Sequence, residues 1–295
     1  FMSAHAVWAV YRAKNLMRAA NLIAAMSLDA FDGRIEPFGP QVNAVRHHAG
    51  QIDVAADFRR ILGGSLLIEH HKEHVQDPYS FRCIPQVHGA VLDTVNYCHG
   101  VFTDEINSPT DNPTIFPDDD IIVSAGNFHG EPIAMPMDFL AVALTELSNI
   151  SERRIYKLIG GTRGLPSFLV AKPGLNSGFM IAQYAAAAVV NQSKGLCWPT
   201  SCDSIPSSQG QEDHVSMGAN SATKLLRVLD NTVRVLGIEL MTAAQALDFR
   251  RPAHSSAEVE ELHASFRELV PFIDVDTVMS PLLDRAVKFV EECTL

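Results

Sequence analysis

Apolar residues recur at three- and four-residue steps along most of the chain. From residue 3 to 32 the rhythm is kept by Val7, Val10, Ala13, Met17, Ala20, Ile23 and Met26, and Gly33 ends it. The same period predicts helices at 51–62, 86–102, 132–159, 177–194, 214–249, 256–269 and 280–293. In the 214–249 helix the expected buried stripe is Leu225, Leu226, Leu229, Val233, Leu236, Leu240 and Met241. Pro136 falls in the first turns of the 132–159 helix, where it is tolerable or makes a kink, and Glu152, Arg153 and Arg154 are expected on its outer face. Ser255 and Glu258 have the spacing of a capping box. Pro37, Gly39, Pro40 and Gly50 mark residues 34–50 as a loop. Residues 107–124 read as an irregular connection, with a turn at Asp118-Asp119-Asp120 and one short strand at 121–124. The fold class is therefore all-α. A first helix of about 30 residues would span roughly 45 Å at 1.5 Å per residue. Helices this long pack in bundles, and their stripes would leave apolar surface uncovered in a monomer.

Composition narrows the function. The 295 residues are 47% hydrophobic and 7% aromatic, which suits close-packed helices. The net charge is −11 with no basic block, which argues against nucleic acid as a partner. No apolar stretch reads as long and clean enough to span a bilayer, so no membrane partner is expected. The five cysteines, Cys83, Cys98, Cys197, Cys202 and Cys293, include no Cys-x-x-Cys pair, so reduced thiols in a cytoplasmic protein are expected. His70 and His74 have the spacing of helical zinc ligands. They lack the His-Glu-x-x-His order and a third ligand, so the 69–74 run reads as a solvated polar segment and no metal is expected. The Asp118–Asp120 run lacks the alternate spacing of a calcium loop, and Gly160-Gly161-Thr162-Arg163-Gly164 lacks the Gly-Lys-Ser/Thr of a phosphate loop.

Four polar islands interrupt the apolar pattern. The first is Gln76-Asp77-Pro78-Tyr79-Ser80-Phe81-Arg82-Cys83. Pro78 favours the start of a helix, and Tyr79 and Arg82, three apart, would share its face. A guanidinium can take a carboxylate bidentately while a neighbouring phenol handles protons or an amine. The same spacing also describes a packed ring beside a surface cation. The others are Asn107-Ser108-Pro109-Thr110-Asp111-Asn112-Pro113, Gly126-Asn127-Phe128-His129-Gly130-Glu131-Pro132, and the 207–217 run containing Gln209, Glu212, Asp213 and His214. The last two precede long helices, whose free N–H groups favour anions; Glu212 is equally a carboxylate suited to a helix N-terminus. One island is an ordinary loop, but four together read as parts of one site.

In this order the four motifs closely resemble those of the aromatic amino-acid lyases, enzymes that use the electrophilic group methylidene-imidazolone (MIO). The likeness runs along essentially the whole chain. Tyr-Ser-Phe-Arg-Cys at 79–83, His-Gly-Glu after Asn127-Phe128, and the 204–217 stretch look more like the histidine ammonia-lyases than the phenylalanine enzymes. The resemblance implies a long-helix bundle assembled as a homotetramer, with active sites drawn from neighbouring subunits. It implies elimination of ammonia from L-histidine to give trans-urocanate, a step of histidine breakdown. It also implies MIO formed from an Ala-Ser-Gly triplet in an N-terminal portion. No Ala-Ser-Gly occurs here; Asn176-Ser177-Gly178 is the nearest match. Residues 1–295 are thus expected to be the C-terminal part of one lyase domain, partnered by that N-terminal portion. Where the family has His-Pro-Gly-Gln, this chain has His48-Ala49-Gly50-Gln51, a loop change.

By the same resemblance, Tyr79 would lie near MIO and handle protons or the amine. Arg82 would bind the substrate carboxylate, with Gln76 supporting it. Phe128 would wall the substrate, Glu212 would meet its imidazole, and Asn107 and Asn112 would be polar supports. His129 and His214 read as structural. A tyrosine or phenylalanine ammonia-lyase or an aminomutase on the same scaffold, and a non-catalytic helical fragment, are the alternatives. The Gly-Ser-Ser-x-Met-Pro loop of the fumarase/aspartase superfamily is not matched.

Overall fold

The computed structural model describes residues 1–292 in full and the backbone of Cys293. Its helices are α1 (Met2–Ala30), α2 (Pro40–Ala44), α3 (Ala49–Ile61), α4 (Leu66–Glu69), α5 (Tyr79–Arg82), α6 (Ile84–Ile106), α7 (Glu131–Leu158), α8 (Met180–Leu196), α9 (Gly218–Asp248), α10 (Ala257–Arg267) and α11 (Ser280–Cys293). Strands β1 (Thr114–Phe116) and β2 (Ile121–Val123) form one antiparallel hairpin between α6 and α7, in the register Ile115 opposite Ile122. The expected strand is therefore real but paired. Its partner was hidden because three residues carry too little periodicity to read. The loop expected at 34–50 also contains a 3-10 turn (Glu36–Phe38) and the short α2.

Helix α9 is the axis of the bundle, packed by α1, α7, α8 and α11. Its expected stripe is buried except for Leu226, which is half-buried, and from Val228 to Leu247 everything but Asp230 and Arg234 is buried, because neighbours surround it. The contacts His88–Arg154 and Cys98–Pro136 set α6 antiparallel to α7, and Gln183–Glu152 and Cys197–Thr145 do the same for α8. The starts of α1, α7 and α9 meet at one end, where Met2 lies against Gly130 and Gly218.

Several expectations are corrected by this packing. Arg154 and Glu152 do not face outward on α7. Arg154 is fully buried and its Nε donates to Glu239 Oε1 of α9 at 2.5 Å, while Glu152 accepts from Gln183 of α8 at 2.6 Å. The outer face of α7 runs instead through Met135, Phe139, Val142, Glu146 and Arg153, so Arg153 points outward as expected, while Glu152 and Arg154 lie off that stripe toward α8 and α9. The cap of α10 is Ser256, whose hydroxyl accepts from the Val259 N–H. Ser255 instead donates to buried Asp29. The 69–74 run is not simply solvated, since Lys72 is buried and donates to Asp32 at 2.5 Å and to the Leu67 carbonyl at 2.6 Å. Helix α7 is long and apolar enough by length and composition to cross a membrane, contrary to the expectation of no such stretch. Burial of 72% of its apolar window inside the bundle accounts for that character. Cys83, Cys98, Cys197 and Cys202 are free thiols; the Cys293 side chain lies outside the described residues.

Candidate functional site

The first island folds as the sequence predicts. Pro78, at φ −56°, is the residue before α5. Phe81 is buried and stacks on Phe31, with ring centroids 4.4 Å apart. That anchor turns Tyr79 and Arg82 outward. The Arg82 guanidinium carbon sits 4.7 Å from the Tyr79 ring centre, a cation–π arrangement. Tyr79 is 71% exposed, whereas Arg82 Nε is buried without a hydrogen-bond partner. A cavity of about 630 Å³ lies between Tyr79 and Cys83 on one side and Glu146, Asn149 and Arg153 of α7 on the other. An adjoining cavity of about 650 Å³ shares Pro78, Tyr156 and Lys157 and reaches Arg163. Gln76 is exposed; its carbonyl accepts from Arg163 at 3.1 Å.

The other three islands meet at the opposite end of α6 and α7. Asn107 donates to the Thr103 carbonyl at 2.7 Å and finishes α6. Asn112 accepts from the Ala125 N–H at 2.9 Å and closes the base of the hairpin. Phe128 is exposed beside a cavity of about 400 Å³ that it shares with Phe1, Met2, Thr110 and Asp111. His129 stacks on His214, with Nε2 to Nδ1 at 3.2 Å, which ties the third island to the fourth. His129 Nδ1 accepts from the Glu131 N–H, so its Nε2 carries the proton and donates to His214. Glu212 is exposed, accepts from the Ser207 hydroxyl, and pairs with Ser207 through the backbone at 2.8 Å. The tip between them turns through left-handed Ser208, Gln209 and Gly210.

Asp138 holds this loop from α7. Its carboxylate accepts from the N–H groups of Thr200 and Ser201, each at 2.8 Å, and meets Lys224 Nζ at 2.6 Å. Burial would raise the Asp138 carboxyl, but Lys224 and the Ser201 amide outweigh it and hold the group below the usual carboxylate range. The positive ends of α1, α7 and α9 lie at this end, a setting that favours a bound anion.

The four islands thus form two clusters in one chain, not one site. Helix α6, with 23 residues, separates Tyr79 from Asn107 by roughly 35 Å along its axis. Sequence reasoning also missed Arg163 and Asp138, which hold the two clusters from other elements. Arg163 sits in a glycine-flanked loop that reads only as a helix break. Among the described residues, no group of three or more His, Cys, Asp or Glu side chains could hold a metal ion.

Comparison with known proteins gives a consistent result. The family profile described as aromatic amino acid lyase matches residues 1–268. A histidine ammonia-lyase of Anaeromyxobacter dehalogenans is 47% identical over 299 aligned residues, covering 100% of this chain and 59% of the relative. Histidine ammonia-lyase from Trypanosoma cruzi superposes with a TM-score of 0.93 at 42% identity, covering 99% of this chain and 56% of its own. Tyrosine aminomutase from Streptomyces globisporus superposes with a TM-score of 0.94 at 35% identity, covering 99% of this chain and 60% of its own. The chain therefore spans somewhat more than half the length of these relatives.

Proposed function

The chain belongs to the aromatic amino acid lyase family, and on that premise we propose that it is the part of an ammonia-lyase that binds L-histidine and helps convert it to trans-urocanate and ammonia. The curated relatives named histidine ammonia-lyase support this choice of substrate. The observation that carries the reading is the Tyr79–Arg82 pair: a guanidinium laid against an exposed phenol, with a buried Nε still lacking a partner.

Elimination from histidine is difficult because the β-proton is weakly acidic and the amine leaves poorly. In this family MIO supplies the electrophile that activates the substrate. The chain holds no Ala-Ser-Gly, so none of its own residues becomes that group. Its outward Tyr79 and Phe128 rings and the unpartnered Arg82 Nε fit a site completed by another segment. Arg82 then holds the substrate carboxylate with charge-assisted hydrogen bonds. The Tyr79 hydroxyl moves a proton or positions the amine, and Gln76 supports that region. Phe128 covers the substrate ring, and Glu212 accepts a hydrogen bond from its imidazole. Asn107 and Asn112 support the Phe128 cluster by finishing α6 and closing the hairpin.

Because the two clusters lie at opposite ends of α6 within one chain, a working site takes Tyr79 and Arg82 from one copy and Phe128 and Glu212 from another. The exposed apolar side chains of the hairpin, Ile115, Phe116, Ile121, Ile122 and Val123, support assembly of several copies, read here as a homotetramer.

The test is steady-state kinetics on the whole protein, with urocanate followed by absorbance. Arg82→Ala is expected to raise KM for histidine about 10- to 100-fold, as loss of a charge-assisted pair requires. An unchanged KM would remove Arg82 from the site. Glu212→Ala is expected to damage turnover of histidine more than that of phenylalanine, and equal losses would sink its contact with imidazole. The similarity to tyrosine aminomutase keeps a second outcome in view: a β-amino acid product in place of the unsaturated acid would assign the scaffold to amine migration.

A further inference from the structure

We propose that Asp77 and Arg163 form a clamp that positions Tyr79 and so sets the rate of the step assigned to its hydroxyl; the inference rests on the reading of Tyr79 given above. Asp77 is two residues before Tyr79 and its side chain is fully buried. Its Oδ2 accepts from the Arg34 N–H at 2.7 Å. Its Oδ1 lies 3.2 Å from Arg163 NH1 and 3.1 Å from His74 Nε2, in close charge contacts, neither aligned as a hydrogen bond. Burial, and then the Arg163 charge, hold His74 below the ordinary histidine range. At neutral pH His74 is uncharged, so Arg163 is the cation that balances the buried carboxylate.

Arg163 also reaches the neighbouring segments. It donates to the carbonyls of Gln76 at 3.1 Å and Asp32 at 3.3 Å, and its guanidinium carbon lies 5.1 Å from the centre of the Phe31 ring. Phe31 in turn stacks on Phe81 of α5. Arg163 has φ +55°, a left-handed conformation uncommon outside glycine, between left-handed Gly161 and Gly164. The loop after α7 is bent so that one cation meets the end of α1, the 76–77 backbone and, through Phe31, the underside of α5.

Tyr79 itself has little to hold it. Its ring is mostly exposed, and Arg82 on the same short helix is its aromatic-face partner. Its position therefore follows from the backbone before it, where Pro78 fixes φ and Asp77 is anchored. A displacement of about 1 Å at a reacting group is enough to cost up to roughly 100-fold in rate. Arg163 reaches the phenol only through this backbone, which makes it a positioning residue.

The experiment is a double-mutant cycle in the whole protein, with kcat and KM for histidine measured separately and assembly checked by light scattering. Arg163→Ala is expected to lower kcat about 30-fold or more while KM changes less than about 3-fold. Arg163→Lys should recover part of the loss, because it returns the charge to Asp77 but loses the planar fork. In a Tyr79→Phe background, Arg163→Ala should cost less than about 3-fold more, because the group it positions is gone. Equal losses in both backgrounds, with Tyr79→Phe itself strongly impaired, would overturn the clamp and leave the reading of Tyr79 standing. A Tyr79→Phe enzyme as active as the parent would overturn both. Where Arg163→Ala does not accumulate as folded protein, Arg163→Gln enters the same cycle with the same criteria.

Discussion

Asp29 illustrates how single residues carry charge into this core. Its Oδ2 accepts from Ser65 at 2.6 Å and from Ser255, which ties the end of α1 to the starts of α4 and α10, while Oδ1 has no hydrogen-bond partner. Burial, against the pull of the two serines, pushes its carboxyl up to about 6 from 3.8. A folded-state value above the unfolded one means that its contribution to stability is fully present below pH 3.8 and is lost as pH rises through 6. The shift of about 2 units corresponds to ~3 kcal/mol. Asp29→Asn is expected to remove that loss: urea unfolding at pH 4 and pH 7 should show the parent losing up to ~3 kcal/mol relative to the variant. Identical pH profiles would show that Asp29 ionises normally. Residues of this kind divide cleanly by legibility. Tyr79 and Arg82 can be read from the sequence because their relation is local, three positions on one turn. The Asp29–Ser255 and Asp77–Arg163 contacts cannot, because their partners are 226 and about 86 positions away.

The helices were legible to within a few residues wherever the apolar period was long. What that period does not reveal is how many sides of a helix are covered. Helix α7 is the clearest case: Arg154 and Glu152 looked like an outer face, but Arg154 is ion-paired with Glu239 of α9 and Glu152 accepts a hydrogen bond from Gln183 of α8. Arg154 also meets His88 Nε2 at 3.3 Å; His88 then donates through Nδ1 to Asn21 at 2.9 Å, and Asn21 to Asp57 at 3.0 Å. Burial, reinforced by Arg154, holds His88 well below the ordinary histidine range and keeps it neutral in this chain of contacts. The crossing of α3 and α6 depends on two glycines. A Cβ at Gly89 would lie 2.4 Å from the Gln51 backbone nitrogen, so the helices would have to part. Gly89→Ala is expected to destabilise by ~1–3 kcal/mol in urea unfolding. Gly100→Ala, on the same helix with nothing within 4 Å, should stabilise by ~0.5–1 kcal/mol. If both substitutions moved stability the same way, close approach at Gly89 would not be the reason for its glycine.

At the scale of the whole molecule, the separation of the two clusters has a functional consequence. If each site draws Tyr79 from one copy and Glu212 from another, inactive variants should complement one another. Tyr79→Phe and Glu212→Gln proteins, unfolded together and reassembled at equal amounts, are expected to recover about one quarter of parental activity, since random mixing in a symmetric oligomer leaves that share of sites intact. Each variant reassembled alone should stay inactive. No recovery, with hybrid oligomers present by native mass spectrometry, would mean that both residues serve one site from one chain. The polar islands were legible as sites because they interrupt an apolar rhythm with Asn, Glu, His and Arg. Their division into two clusters was not, because it depends on α6 and α7 running antiparallel along their full length.

Helical class, the long helices to within a few residues and the chemistry-bearing motifs were determined by the sequence itself, through period, glycine and proline punctuation and residue type. Those signals are local, acting within a turn or two of chain. The burial of Arg154, the pairing of Asp77 with Arg163, the capture of the Glu212 loop by Asp138 and the distance between Tyr79 and Phe128 were decided only by tertiary packing. Each depends on which helix faces meet, and contacts between distant segments leave no periodic trace in the chain.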